Sequence, residues 1–175
     1  MSKTRKMALT GMLCALSTAL MMMGGLIPLA TFACPMLAAL ALIPILVECG
    51  QKMAFGAYIA ISALGLILCP DKEAALLFAF IGHYPLIRWR LDQFRSPIVR
   101  IVLKLGVFNL CILAMYALIL WVLHMEQIVA EYRAMGALMI GLTLLLGNVC
   151  LLLYDRMVVL FTGAYVNKLR NKLLK

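Results

Sequence analysis

The chain has 175 residues, 66% of them hydrophobic and only 13% charged, with a mean hydropathy of +1.06. Soluble domains run at about half apolar and about a quarter charged, so a water-soluble globule is excluded and one compact helical membrane domain is expected. The net charge of +9 does not indicate nucleic acid. Lys and Arg stand at the ends of apolar runs and in the tail, where they orient spans and attract anionic lipid headgroups.

The chain begins with a short basic segment, Lys3, Arg5 and Lys6, and then carries no charge from Met7 to Val47. A span needs about 20 residues, so this run holds two. Gly24-Gly25-Leu26-Ile27-Pro28 separates them, and Pro35 opens the second. Helix 1 is expected over 7–27 and helix 2 over 33–48. The polar turn Glu48 to Lys52 leads into helix 3, 52–69, which ends at Cys69-Pro70. After Asp71-Lys72-Glu73 comes a short helix 4, 73–88. Pro85 stands near its end and kinks or stops it by removing a backbone donor.

Arg88 to Lys104 follows, a basic stretch read as a cytoplasmic loop. Helix 5 is expected over 104–125, then a charged loop through Glu126, Glu131 and Arg133, then helix 6 over 134–156 with Asp155-Arg156 at the interface. The remainder, 157–175, is a basic cytoplasmic tail. Its apolar part, 157–166, either continues helix 6 or lies in the interface as an amphipathic helix. No signal peptide and no internal repeat is evident.

Placing both termini in the cytoplasm puts every basic residue except Lys72 and Arg133 on one side, out of 16 in all. Loops rich in Lys and Arg resist translocation. The expected fold is therefore an all-α polytopic bundle of six transmembrane helices, 1–175 forming a single integral membrane domain. An odd number of spans would place one basic end outside.

No catalytic signature is present: no G-x-S-x-G, H-E-x-x-H, Walker loop or paired-carboxylate motif. The six cysteines form no C-x-x-C pair and lie in or beside apolar runs, so they read as packing residues rather than metal ligands. No metal, cofactor or enzymatic role is expected. Met21-Met22-Met23 reads as adaptable packing rather than a copper site, since contiguous helical residues point different ways.

Three sets of residues carry the functional expectations. Gly11, Ala15 and Ala19 make a small-residue strip on helix 1 where a second helix can approach closely, either within the bundle or on a partner subunit. Asp71, Lys72 and Glu73 form an outer charge cluster, either a solvated helix start or the polar end of a solute site lidded by the turn Pro28 to Pro35. His83, Asn109 and Asn148 form an intramembrane polar cluster at similar depth. Such residues face the bundle interior, either cross-linking helices or lining a solute or proton path.

Six short spans, the small-residue segment Ala8-Leu9-Thr10-Gly11-Met12-Leu13-Cys14-Ala15-Leu16 and a short first loop resemble the substrate-binding S components of energy-coupling factor (ECF) transporters. Pro70 to Leu77 and His83-Tyr84-Pro85 are similar to segments of uncharacterised bacterial membrane proteins in that group. The resemblance implies a vitamin or other micronutrient importer subunit of the bacterial plasma membrane. It would dock through Gly11, Ala15 and Ala19 onto a transmembrane coupling subunit driven by two ATPases, and would bind a small-molecule substrate from outside. Two rival expectations stand beside it. One is a non-transporting membrane scaffold recruiting a partner or lipid through Arg88, Arg90 and Arg95; the other is a small membrane enzyme built on His83.

Overall fold

A computed structural model describes residues 2–24, 30–94, 96–119 and 137–169. Among these the secondary structure is entirely helical. It comprises α1 Lys3–Gly24, α2 Ala30–Leu40, α3 Leu42–Cys49, α4 Gln51–Leu68, α5 Lys72–Ile81, α6 Tyr84–Leu91, α7 Pro97–Leu118 and α8 Ala137–Ala164. Five helical stretches are long and apolar enough to cross a bilayer: Lys3–Gly24, Phe32–Cys49, Gln51–Leu68, Pro97–Leu118 and Leu144–Asn167. The chain forms two compact units, Met1–Gln93 with Met157–Lys175, and Phe94–Arg156.

The first unit differs from expectation in a way that proline explains. The stretch expected as helix 2 is two helices, α2 of 11 residues and α3 of 8. Pro44 has no N–H to donate to the Leu40 carbonyl, and just before it the Ala41 N–H tightens onto the Ala38 carbonyl at 3.2 Å. The expected helix 4 is likewise split, into α5 of 10 residues and α6 of 8. Here Pro85 cannot donate to the Ile81 carbonyl, and the Leu86 and Ile87 amides both turn to His83, at 3.0 and 3.3 Å.

The side-chain contacts fix the directions of these helices. Thr10 of α1 meets Cys49 of α3, and the Ser17 hydroxyl donates to the Ala38 carbonyl of α2 at 3.1 Å. The α2–α3 stretch is therefore antiparallel to α1. The Tyr58 hydroxyl of α4 donates to the Ala79 carbonyl of α5, while Gly65 lies beside Ala75, so α5 is antiparallel to α4. Met21 packs on Gly65 and its carbonyl accepts the Cys69 thiol at 3.2 Å, which makes α1 and α4 parallel.

The unit is thus built from two copies of one device, an unbroken helix followed by a broken one. The broken stretches run in the same direction and pack together, α2 on α5 and α3 on α6. Each breaks with an eight-residue helix still to run. The sequence conceals this repeat because lipid asks only that the copies be apolar. Their common mark is a proline just past each break.

At the centre lies α5. Ala74, Ala75, Leu76, Leu77, Phe78 and Ile81 are all buried, the pattern of a helix enclosed on every side. Gly82 closes it under constraint, since a Cβ there would stand 2.5 Å from the Phe78 carbonyl oxygen.

In the second unit α7 begins at Pro97, with Ser96 in extended conformation before it, seven residues earlier than expected. Ser followed by Pro is a helix-start signal. The basic loop accordingly shrinks: Arg88 and Arg90 belong to the last turn of α6, and Arg100 and Lys104 to α7. Helix α8 runs unbroken past Asp155-Arg156 to Ala164 and ends in a π-turn, Tyr165–Leu169. Residues 157–164 therefore extend the last helix.

Candidate functional site

Helix α1 has two different faces. Ser17, Thr18, Met21 and Gly24 are buried, with Ser17 and Thr18 turning their hydroxyls onto backbone carbonyls at 3.1 and 3.0 Å. Gly11, Ala15 and Ala19 lie on the other side and are exposed. A Cβ added at Gly11 would meet nothing within 4 Å. Large apolar neighbours flank the strip, with Met7, Met12, Leu16, Met22 and Met23 all exposed. The small residues expected to dock a helix therefore sit on an open, wholly apolar face with adaptable methionines on its borders.

The outer charge cluster is organised by its own backbone. Asp71 is the N-cap of α5, its Oδ1 accepting from the amides of Glu73 and Ala74 at 3.0 and 3.1 Å. That satisfies two of the donors every helix start leaves over. Lys72 reaches back instead, its Nζ donating to the Leu66 and Cys69 carbonyls at 2.9 and 3.0 Å, and so caps the end of α4. Glu73 stands in the first turn of α5, where a carboxylate suits the helix dipole. The expected lid between helices 1 and 2 lies partly outside the described residues, and its part from Ala30 on is helical.

The intramembrane polar residues divide between the units. Asn109 of α7 and Asn148 of α8 pair amide to amide, the Asn109 Nδ2 donating to the Asn148 Oδ1 at 2.9 Å. Each also donates to the carbonyl one turn back on its own helix, Leu105 and Leu144. His83 belongs to the first unit, at the α5–α6 break. Its ring lies 6.0 Å from that of Tyr58, and its side chain hydrogen-bonds the Phe80 backbone. The Tyr58 hydroxyl and the His83 ring thus engage carbonyls next to the helix break, and this lets a helix be interrupted inside a bundle.

The residue that sequence reasoning missed is Lys104. Taken as a loop cation, it is instead buried two turns inside α7, its Nζ 2.9 Å from Asp155 Oδ2 of α8, with side-chain exposures of 8% and 18%. Asp155, read as an interface marker, is the other half of this ion pair. The Ser96-Pro97 helix start was the available signal, since it places Lys104 in mid-helix.

No group of three or more His, Cys, Asp or Glu side chains among the described residues could hold a metal ion. The six cysteines are free. The arrangement presents an open apolar helix face on α1 and an ion pair between α7 and α8. No protein-family model, curated protein or solved structure matches the chain.

Proposed function

We propose that the protein is the substrate-capturing membrane subunit of a micronutrient importer, docking through α1 onto a separate energised coupling subunit. In this reading α5 and α6 together make a sixth, kinked span beside the five stretches long enough to cross, of which α2–α3 is itself broken, and both termini face the cytoplasm. The observation that carries the proposal is the open α1 strip. Gly11, Ala15 and Ala19 are exposed although the opposite face of the same helix is packed. Two broken stretches side by side add support, because solute-handling membrane proteins build their sites around interrupted helices.

The test is co-purification of coupling partners from the native membrane, read alongside mass spectrometry of bound small molecules. Ala15→Trp should reduce partner recovery by at least about tenfold, a loss of roughly 1.4 kcal/mol, with the bundle still folded. Undiminished recovery, or no partner from the wild type, would sink the docking reading.

A scaffold without a solute is the second reading, and one observation favours it. Asp71 and Lys72, the charges assigned to the solute, bond the backbone of their own turn. Under that reading no metabolite co-purifies, and partner recovery falls when Arg88 and Arg90 are neutralised.

A further inference from the structure

The parallel helices α1 and α4 do not pack evenly along their length. Toward their C-terminal ends they close tightly, and a Cβ at Gly65 would stand 2.7 Å from the Met21 methyl group. Toward their N-terminal ends they open into a groove of about 400 Å³, lined by Thr10 and Cys14 on one side and Gly56, Ala57 and Ala60 on the other, with Lys52 at its mouth. A Cβ at Gly56 would meet nothing within 4 Å.

The lining is almost purely apolar. The Thr10 hydroxyl is spent on the Lys6 carbonyl, 2.8 Å away, which leaves the Lys52 ammonium as the charged group on the groove. One helical turn before Thr10 stands Lys6, and the exposed Lys3 and Arg5 share its end of α1. The opposing charge at this end is Glu48, half-buried and already engaged. An empty apolar groove forfeits dispersion contacts along its whole wall, and in a bilayer the material at hand to fill it is hydrocarbon.

We propose that this groove is a binding site for one anionic phospholipid, its acyl chain lying over Gly56, Ala57 and Ala60 and its phosphate held by Lys52 and Lys6. The small side chains supply depth, and the cations at the mouth select headgroup charge. The site is separate from the Gly11, Ala15 and Ala19 strip, so it stands or falls independently of the importer reading.

The test uses the full chain in nanodiscs of equal parts dioleoyl phosphatidylglycerol and dioleoyl phosphatidylcholine, with retained lipid counted by native mass spectrometry after detergent release. The wild type should keep one phosphatidylglycerol over phosphatidylcholine by at least about fivefold, the preference a single well-placed cation confers. Lys52→Gln should lower the ratio, and Lys52→Gln with Lys6→Gln should bring it close to one. Gly56→Leu should fill the groove and abolish retention of either lipid; Ala60→Leu is the second filling variant should Gly56→Leu lose its helical circular dichroism. Equal retention of both lipids by the wild type overturns the proposal. So does wild-type retention by a folded filling variant, and so does a variant that sheds a co-purifying protein while keeping its phosphatidylglycerol, which would make a helix the occupant.

Discussion

The two units of the molecule hold their helices differently, the first by close packing and side-chain bonds to backbone, the second by side-chain pairs. In Met1–Gln93 small or apolar side chains approach closely: Met21 on Gly65, Ala75 beside Gly65, and α5 enclosed by its neighbours. Polar side chains there bond backbone, between helices from Ser17 to Ala38, Tyr58 to Ala79 and Cys69 to Met21, and locally at the Asp71 cap. In Phe94–Arg156 the bonds between helices are polar, Lys104 to Asp155 and Asn109 to Asn148. The lesson is about solvent. Lipid gives apolar helices no hydrophobic reason to associate, so a helix pair is held either by backbones that come close or by groups that lipid cannot solvate.

The largest expected effect breaks the second device. Lys104→Ala takes the buried ammonium away from Asp155, and removing one member of a buried pair costs about 3–5 kcal/mol. Replacing both, Lys104→Met with Asp155→Leu, should recover most of that, as read by steric trapping in bicelles. A single-mutant cost below about 1 kcal/mol would mean the pair is worth no more than an exposed one, and the contrast between units would fail.

A smaller loss is expected from Gly82→Ala in the first unit. The new methyl must displace the Phe78 carbonyl, and overpacking of this kind costs about 1–3 kcal/mol. A neutral result would show that the break closes with room to spare. Smallest is Asn109→Leu. Interhelical hydrogen bonds in membranes are worth about 0.6 kcal/mol on average, so this variant should sit close to that figure and far below Lys104→Ala. Equal losses for the two would show that burial of charge is not what distinguishes them.

How much of this the sequence disclosed depended on whether the signal was hydropathy or position. The apolar runs placed α1 and α4 to within a few residues, although Lys3, Arg5 and Lys6, expected ahead of helix 1, stand in the first turns of α1. The exposure of Gly11, Ala15 and Ala19 fits a spacing argument that needed nothing but helix periodicity. Proline was underused. Pro85 was read as a kink, yet Pro44, equally disruptive, passed unremarked inside a helix expected to be continuous.

Lys104 shows a different failure. A charged residue at the edge of an apolar run reads as a helix end, and Ser96-Pro97, which carries the contrary signal, was outweighed by the density of basic residues around it. Its partner Asp155 follows Asn148 by seven residues on the same face. The alignment was legible, while its meaning required knowing what lies opposite. The cap roles of Asp71 and Lys72 follow from local turn geometry, which composition does not encode.

The central claim is that α5 and α6, though broken, carry the chain across the bilayer, so that the described helices and the basic ends fall into one even-numbered arrangement. Site-directed labelling in intact cells tests it most directly. Cysteine-free chains carrying single reporters at Ser2, Asp71 and Gln93 would be probed with a membrane-impermeant maleimide. Labelling from outside at Asp71, with Ser2 and Gln93 reactive only after lysis, is the predicted result; Asp71 and Gln93 labelled from the same side would contradict it.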